Sequence, residues 1–497
     1  MPTPNSQNRA DLQLRRRFFK LTGINILSNL TVPMAGLVDT ALLGHLPDIR
    51  FLAGVALASI LFDVMYWSFG FLRMGTTGTT AQAVGRVDAG VPGATNQGGE
   101  AATGVSAAMG EVYRVLYRSL LMAGVLGAAL LLLQWPLGEL GFNLLSGEAP
   151  VEAAGRDYFY ARIWGAPATL ANFALLGWFL GREESGRALI MSSVANFTNV
   201  ALNAWFILGL GLAAQGAGLA TMASQYAQLA VGLWLLTRAA RKDRASTRDT
   251  TRDTTRDTTL AADAQPDSAF TSPGFFPPPG WSRGEVLDRG RMGALVRLNT
   301  DILVRTLCLT GAFALFTNFS SLLGTTVLAA NAILIRLFYL AAYSIDGAAF
   351  ATESLAGIFR GAGENAALRR LTRLAMATGV GFAALFLAVF FLVPGPILAL
   401  LTNHRDVAAQ ALGSAPWLVP VLLAGAAAFV YDGLFLGLTA GRALRNAMLL
   451  STFAVFLPAA LAALWLASNP LLWLSLSLFM VARALTLAWA SRGLLAA

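Results

Sequence analysis

The chain has 497 residues, of which 56% are hydrophobic and 13% are charged. Soluble domains are about 45–50% apolar and about 25% charged, so this composition excludes an ordinary water-soluble enzyme. The net charge of +9 would suit an acidic partner on a soluble domain, but here the basic residues lie between long apolar segments. The single cysteine, Cys308, excludes an internal disulfide.

Apolar segments recur along almost the whole chain. A membrane-spanning helix needs about 20 mostly apolar residues, and the sequence contains twelve such segments, six on each side of a polar interruption. In chain order, the predicted spans are 18–44, 52–77, 115–135, 159–181, 189–210, 216–237, 295–322, 328–358, 374–393, 412–438, 443–466 and 471–489. The sequence therefore predicts an all-α membrane protein with two six-helix lobes.

The two halves resemble each other weakly. Leu43-Gly44 and Gly85 in the first half fall beside Leu323-Gly324 and Gly361 in the second. Because each half has an even number of spans, the halves share one orientation and are predicted to be related by pseudo-two-fold symmetry about the membrane normal. This duplication is typical of a transporter and not of a receptor or a membrane-anchored enzyme.

Polar segments set the expected domain boundaries. The sequence predicts a cytoplasmic tail at 1–17, an N-lobe at 18–240, a linker at 241–292 and a C-lobe at 293–497. The linker contains a Thr-Arg-Asp repeat from Thr247 and the proline run Pro277 to Pro279. Such composition cannot bury an apolar core, so we expect a disordered cytoplasmic linker.

The distribution of basic residues orients the predicted spans. Of the 36 Lys and Arg residues, 28 fall on one side of the membrane, 3 on the other and 5 within spans. Cytoplasmic loops collect Lys and Arg. We therefore expect both termini in the cytoplasm, and the surplus charge to reflect topology and not a nucleic-acid partner.

Asp39 stands out among the few ionisable residues within spans. A charged residue at the centre of a spanning helix costs about 2.5–3.5 kcal/mol on the insertion scale, so it normally faces the protein interior or water. No basic residue lies one helical turn from Asp39, and Pro33 lies two turns before it. A proton or sodium site coupled to a bend at Pro33 is favoured over a carboxylate that caps a neighbouring helix.

Other intramembrane polar residues are weaker candidates. They are Asp63, Arg73, Asn196, Asn199, Asn203, Thr221, Asn331, Asp346, Glu353 and Asp432. Asn199 and Asn203 share a helix face and are either interhelical contacts or part of a site. Asp301 and Arg305, four residues apart, are expected to form a salt bridge. No phosphate-binding loop is present, so an ion gradient would have to drive transport.

Several stretches resemble the multidrug and toxic compound extrusion (MATE) transporters, in particular their DinF-like branch. The most specific are Ser28 to Leu46, Tyr66 to Gly78 and Arg162 to Ala168, with Asn331 and Asp346 in agreement. The resemblance covers nearly all twelve predicted spans. It implies two six-helix lobes and export of amphiphilic, often cationic, organic compounds across a bacterial inner membrane in exchange for H⁺ or Na⁺. No other cofactor and no nucleic acid is implied, and we expect a monomer.

The resemblance also assigns the coupling site. The family's first-span aspartate matches Asp39, and its partners on spans five and six match Asn199, position 203 and Thr221. Related members carry an aspartate where this chain has Asn203, and many carry a proline where it has Ile24. Because Na⁺ prefers several oxygen ligands with compensating negative charge, the loss of one carboxylate favours H⁺ coupling through Asp39, although Na⁺ remains open.

A lipid-linked precursor flippase of the same superfamily is the alternative function. Such a protein should line its cavity with cationic residues that hold a pyrophosphate. The available intramembrane arginines are Arg73, Arg162, Arg305, Arg336 and Arg483. Their positions in the sequence indicate no cluster, which favours the export of organic compounds.

Overall fold

The computed structural model describes residues 4–90, 104–145, 148–257 and 283–496. Within these ranges, the side chains of residues 4–7, 31–40, 104–108, 246–257, 283 and 496 are not described. The regular secondary structure of the described ranges is entirely helical. The predicted all-α fold is therefore confirmed.

The first half of the chain, up to Asp257 in the predicted linker, holds helices α1 to α9. They are α1 (Pro4–Gly44), α2 (Arg50–Ser68), α3 (Phe71–Asp88), α4 (Gly104–Leu132), α5 (Gln134–Leu144), α6 (Ala149–Arg162), α7 (Ala166–Gly181), α8 (Ser185–Asn203) and α9 (Ala213–Asp257). A 3₁₀ turn, Ile163–Gly165, connects α6 to α7, and a π-helical segment, Ala204–Gly209, follows α8.

The second half holds helices α10 to α19. They are α10 (Arg283–Val286), α11 (Arg289–Leu322), α12 (Thr325–Gly361), α13 (Asn365–Leu392), α14 (Pro394–Leu401), α15 (Arg405–Ser414), α16 (Leu418–Gly437), α17 (Gly441–Leu449), α18 (Leu457–Trp465) and α19 (Asn469–Ala496). A 3₁₀ turn, Ala415–Trp417, precedes α16, and a π-helical segment, Leu450–Phe456, joins α17 to α18.

Nine stretches of the described residues are long and apolar enough to cross a membrane. They are Arg50–Asp88, Met109–Leu132, Ala149–Gly181, Gly284–Leu322, Thr325–Gly361, Asn365–Leu392, Arg405–Gly437, Gly441–Trp465 and Asn469–Leu495. Each overlaps one span expected from the sequence, with ends that agree to within three residues where the expected span extends further. The other three expected spans lie on α1, on α8 with its π-helical segment and on α9, so the count of twelve stays a prediction.

The described residues at the two ends of the predicted linker are helical, although the sequence predicts disorder there. Helix α9 continues through the Thr-Arg-Asp repeat to Asp257, and helical structure is present again from Arg283. The repeat contains no Gly or Pro to stop a helix, and its Asp residues precede Arg by three positions, a spacing that supports a helix. The proline run of the predicted linker lies outside the described residues.

Contacts within the chain divide it into two units. We call Leu30–Leu295 with Gly361–Gly363 the N-terminal unit, and Met1–Asn29, Val296–Arg360 and Glu364–Ala497 the C-terminal unit. Three helices are thus shared between units: α1 divides after Asn29, α11 after Leu295 and α12 after Arg360. A helix shared in this way connects the two units covalently without a loop.

Each unit has an aromatic core of its own. In the N-terminal unit, Trp178 packs against Tyr113 and Phe179, with ring centroids 5.3 and 5.2 Å away. In the C-terminal unit, Phe316 packs on Trp473 at 5.0 Å. All five side chains are fully buried, and cores of this kind hold the helices that carry the polar residues described below.

Each unit contains a close helix–helix contact at a glycine, and the two contacts occupy matching positions in the repeat. A Cβ added at Gly177 on α7 would lie 2.4 Å from the carbonyl oxygen of Arg73 on α3. A Cβ added at Gly433 on α16 would lie 2.3 Å from the carbonyl oxygen of Ala349 on α12. Arg73 and Ala349 are as far apart in sequence as Gly85 and Gly361, the pair that suggested the repeat. The packing therefore supports the predicted duplication.

These contacts predict that Gly177→Ala and Gly433→Ala both destabilise the protein. Overpacking a tight contact costs about 1–3 kcal/mol, so each variant should unfold at a lower temperature than the wild type in detergent. Gly381→Ala on α13 is the control, because a Cβ there meets nothing within 4 Å and alanine is the better helix former. Equal melting temperatures for the three variants would contradict the prediction that a Cβ at Gly177 or Gly433 overpacks the helix contact.

Candidate ion-coupling site

A chain of hydrogen bonds connects α8 to α9 in the N-terminal unit. The Asn203 side-chain amide donates to Asn199 Oδ1 at 3.1 Å, and the Asn199 amide donates to Thr221 Oγ1 at 3.2 Å. The Thr221 hydroxyl in turn donates to the carbonyl oxygen of Ala217 at 3.0 Å. The structure thus brings together three of the residues that the sequence assigned to the coupling site.

The local sequence explains why this face of α8 is polar and buried. Asn199 and Asn203 are four residues apart, so both face α9, and they are 5% and 0% exposed. The π-helical segment begins directly after Asn203, and such segments occur frequently at functional sites. Asn199 Oδ1 and Thr221 Oγ1 each accept one hydrogen bond, so each oxygen has one of its two lone pairs engaged by a neighbouring side chain.

Asp39 and Pro33 lie on α1, and their side chains are outside the described ones. The backbone helix nevertheless runs through both positions. Pro33 has no N–H, so the carbonyl oxygen of Asn29 lacks its usual helical donor. Asn29 is also the last residue of α1 that belongs to the C-terminal unit, and its side-chain amide donates to the carbonyl oxygen of Tyr343 at 3.3 Å.

A buried ion cluster lies in the C-terminal unit. Asp432 on α16 forms salt bridges through Oδ2 with Arg305 on α11 and with Arg483 on α19, the latter at 2.7 Å. The three residues are only 4%, 6% and 0% exposed. The Arg483 guanidinium also lies over the rings of Phe429 and Phe479, 5.4 and 5.5 Å from their centroids. One carboxylate therefore holds three helices together.

Two expectations about these charges are wrong. Asp301 pairs with Arg445 at 2.6 Å and not with Arg305, whose partner is Asp432. The intramembrane arginines also do cluster, since Arg305 and Arg483 meet at one carboxylate. Asp301 and Arg305 thus each pair with a residue distant in sequence instead of with each other, and a buried charge requires a well-aligned counter-charge.

Asn331 is the centre of an uncharged network in the C-terminal unit. Its amide donates to Ser320 Oγ and to Asn469 Oδ1, both at 2.8 Å, and its Oδ1 accepts from Trp473 Nε1 at 2.8 Å. Asn469 continues the network to Ser414 Oγ at 3.0 Å. These bonds join α11, α12, α15 and α19 and use both donors and the acceptor of Asn331, which indicates a structural role.

The remaining sequence candidates lie on α2, α3, α8 and α12. Asp63 is exposed on α2, and Arg73 is half-buried on α3 beyond a break in the helix. On α12, Asp346 is half-buried and Glu353 fully buried, and their spacing of seven residues places them on one face. Asn196 is half-buried on α8, seven residues before Asn203.

Comparison with known proteins identifies the family. The MatE family model matches residues 101–205 and 302–464. DNA damage-inducible protein F of Escherichia coli K12 is 33% identical over 466 residues, which cover 93% of this chain and 89% of that protein.

The chain belongs to the MATE family of transporters.

Solved structures of MATE proteins share the fold. A crystal structure of a MATE protein in the bent conformation superposes with a TM-score of 0.78 at 17% identity, over 100% of this chain and 98% of that one. The outward-facing structure of a multidrug resistance MATE family transporter gives a TM-score of 0.73 at 17% identity, over 97% of this chain and 96% of that one. The resemblance inferred from sequence motifs is therefore confirmed for the family and for the fold.

Sequence reasoning missed an aromatic cage in this MATE transporter. The Arg162 guanidinium lies 4.3 Å from the Phe62 ring centroid and 5.8 and 5.5 Å from those of Tyr66 and Tyr158. It also donates to the Tyr158 hydroxyl at 2.7 Å. Because a guanidinium is attracted to aromatic faces, this contact ties α2 to α6. The spacing of Phe62 and Tyr66, and of Tyr158 and Arg162, by four residues was the available signal.

A salt bridge between α7 and α9 was also missed. Arg182, which follows α7, donates to both carboxylate oxygens of Asp243 at 2.9 and 3.1 Å, and Tyr113 donates to the same carboxylate at 2.7 Å. Burial lowers the pKa of Arg182, but the nearby carboxylates of Glu184 and Asp243 outweigh it and the net pKa is raised. Arg182 therefore stays charged at any physiological pH, and Asp243 has a permanent counter-charge.

The last part of the predicted linker is held by α4. Glu111 on α4 pairs with Arg114 and Arg118, both at 2.9 Å, and with Arg291 on α11. Arg114 also pairs with Glu285 at 2.7 Å, and Arg118 donates to the carbonyl oxygen of Glu285 at 2.7 Å. Together with the hydrogen bond between Tyr113 and Asp243, these bonds attach both ends of the predicted linker to the same end of α4.

The ion cluster predicts a strong effect of Asp432→Asn on stability. Removing one partner of a buried ion pair costs about 3–5 kcal/mol, because the remaining charges stay buried without compensation. Asp301→Asn is the matched control, since its partner Arg445 is 35% exposed and can be hydrated. We expect thermal unfolding in detergent to show a larger decrease in melting temperature for Asp432→Asn, and partial recovery in the triple variant D432N/R305Q/R483Q. Equal decreases for the two aspartate variants would contradict this prediction.

Proposed function

We propose that this MATE transporter is an H⁺-coupled antiporter that exports amphiphilic, cationic organic compounds across the bacterial inner membrane by alternating access. Membership of the family supports the transport role, and one relative of the same fold is described as a multidrug resistance transporter. The distribution of basic residues supports a multi-pass topology with both termini in the cytoplasm, and the proposed transporting unit is a monomer. The substrates would be small molecules that partition into the lipid bilayer.

The observation that favours H⁺ over Na⁺ is the uncharged chain of hydrogen bonds formed by Asn203, Asn199 and Thr221. Its side chains offer amide and hydroxyl groups already engaged with each other, and Asn203 stands where related members carry an aspartate. A sodium ion would need several oxygens and more than one negative charge to replace its hydration shell, whereas a proton needs one basic oxygen. Asp39, on the α1 segment of the same unit, would be that base.

Protonation of Asp39 would change the conformation of α1. Neutralising a carboxylate removes the cost of burying its charge, so the protonated segment can enter a less polar environment. The backbone can adjust near Pro33, where the missing N–H leaves the helix one hydrogen bond short. Asn29 is fixed to Tyr343 in the C-terminal unit, so residues 30–44 would be the part that moves. This motion would change the N-lobe cavity and release the substrate.

The available energy is sufficient for this exchange. One charge that crosses about 100 mV yields about 2.3 kcal/mol, and about 1.4 kcal/mol corresponds to a tenfold ratio. One proton could therefore sustain roughly a 40-fold gradient of a neutral solute. A monovalent cation exchanged for one proton moves no net charge, so the pH gradient alone would drive it, with a tenfold ratio for each pH unit.

The alternative of a lipid-linked precursor flippase gains no support from the arginine cluster. Arg305 and Arg483 are the two intramembrane arginines that meet, but both are buried and share the Asp432 carboxylate. A pyrophosphate would have to displace that carboxylate. Arg162 is likewise held by Tyr158 and the aromatic rings around it.

The proton-carrier role predicts that Asp39→Asn abolishes coupling. Proteoliposomes with an imposed pH gradient should accumulate a fluorescent organic cation with the wild type and show no accumulation above empty vesicles with Asp39→Asn, because an amide cannot take up and release the proton as a carboxylate does. Asp63→Asn, which removes another carboxylate of the N-terminal unit, is the control and should retain most of the rate. Normal pH-driven transport by Asp39→Asn would exclude Asp39 as the carrier.

The uncharged asparagine chain predicts a gain of function in Asn203→Asp. A second carboxylate would give the site the charge that Na⁺ requires, so an imposed sodium gradient should drive transport by this variant and not by the wild type. Asn196→Asp is the matched control, because it adds the same charge to the same helix about 10 Å away. If both variants or neither responded to sodium, the hydrogen-bonded residues Asn203, Asn199 and Thr221 would not determine the choice of ion.

A further inference from the structure

The last described side chains of α9 form an exposed face that combines one aromatic and three basic residues. Trp234 is 48% exposed, and the Arg238 guanidinium lies 3.7 Å from its ring centroid. Arg241 and Lys242, one turn further on, are also exposed. At 3.6 residues per turn, these four residues fall within about 100° of the helix circumference. We call them the basic face.

The opposite side of the same turns is fixed in the protein core. Four residues on this side are each at most 6% exposed and pack in the aromatic core around Trp178: Leu235, Leu236, Ala239 and Ala240. This packing sets the rotation of α9 about its axis. The basic face therefore points away from the core of its unit and is not a set of side chains that could turn inward.

The charges of the basic face have no acidic partner among the described residues. The nearest acid in the sequence, Asp243, lies on the other side of α9 and is engaged by Arg182 and Tyr113. No salt bridge to Arg238, Arg241 or Lys242 is formed within the part of the chain that the structure describes. Three positive charges thus remain uncompensated on one helix face.

The basic face lies where the predicted sixth span ends. That span covers residues 216–237, so Trp234 falls in its last turn and Arg238 directly follows it. Tryptophan is enriched at membrane–water interfaces, and basic residues just cytoplasmic of a span are attracted to anionic lipids. Stacking of Arg238 on Trp234 uses the face of the guanidinium and leaves its N–H edge available for a phosphate.

We propose that the basic face binds the phosphate headgroup of an anionic phospholipid in the cytoplasmic leaflet. Arg238, Arg241 and Lys242 donate to the phosphate oxygens, and Trp234 lies beside the glycerol and upper acyl region. The proposal rests on the cytoplasmic orientation given under the proposed function, but not on the coupling ion or the substrate. Through the Asp243 salt bridge, a lipid on this face would be attached to helices α4, α7 and α9 together.

The test compares lipid binding by two triple variants of the full chain. R238Q/R241Q/K242Q removes the charges of the basic face. R373Q/R442Q/R492Q is the matched control, which removes three exposed charges of the predicted cytoplasmic side from the C-terminal unit. Binding of phosphatidylglycerol and of phosphatidylcholine to the purified proteins would be measured by native mass spectrometry and by the melting temperature in vesicles of each composition.

We expect the wild type and the control variant to retain phosphatidylglycerol and to melt at a higher temperature in vesicles that contain it. The basic-face variant should bind it roughly 100-fold more weakly, from about a fivefold effect of each lost charge, and should lose the increase in melting temperature. Trp234→Leu should weaken binding less and leave its salt dependence unchanged. Wild-type affinity in the basic-face variant, or equal losses in both triple variants, would overturn the proposal.

The lipid measurement separates this proposal from the transport mechanism. It uses no ion gradient and no transported solute, so failure of proton coupling through Asp39 would leave the binding result unchanged. In the same way, Asp39→Asn should bind phosphatidylglycerol as the wild type does. Loss of binding in Asp39→Asn would place the lipid elsewhere and would overturn the assignment to the basic face.

Discussion

The constraint that shapes this transporter is the cost of a polar or charged group that lacks a partner in an apolar interior. A buried carboxylate or guanidinium is tolerated when it is neutralised and hydrogen-bonded. Asp432 meets this condition through two guanidinium groups, and Asn331 through three neighbouring side chains. Because such groups satisfy each other, they fix the relative positions of the helices that carry them.

The two units satisfy the same constraint in different ways. Their backbones pack alike, as the glycine contacts of Gly177 on Arg73 and of Gly433 on Ala349 demonstrate. Their buried polar groups do not: an uncharged asparagine–threonine chain lies in one unit and an ion cluster in the other. A duplicated backbone can therefore carry different buried polar groups in its two copies.

The sequence predicts much of the fold, because helix formation in a membrane follows from local composition. Apolar length locates the spans, and the spacing of Asn199 and Asn203 predicts their shared face. Pairings between residues on different helices are harder to predict from the sequence. Asp432 meets Arg305 across 127 positions, and Asp301 prefers the distant Arg445 to the nearby Arg305. Helical spacing shows which residues could meet within one helix, but the competition among partners is decided by tertiary packing.

The central claim is that transport is driven by protons through one carboxylate and not by sodium. The most direct test is uptake of a fluorescent organic cation by wild-type proteoliposomes, with a pH gradient alone in sodium-free buffer and with a sodium gradient alone at equal pH. The account predicts uptake against the concentration gradient under the pH gradient and none above empty vesicles under the sodium gradient. Uptake driven by sodium at equal pH, without response to the pH gradient, would contradict it.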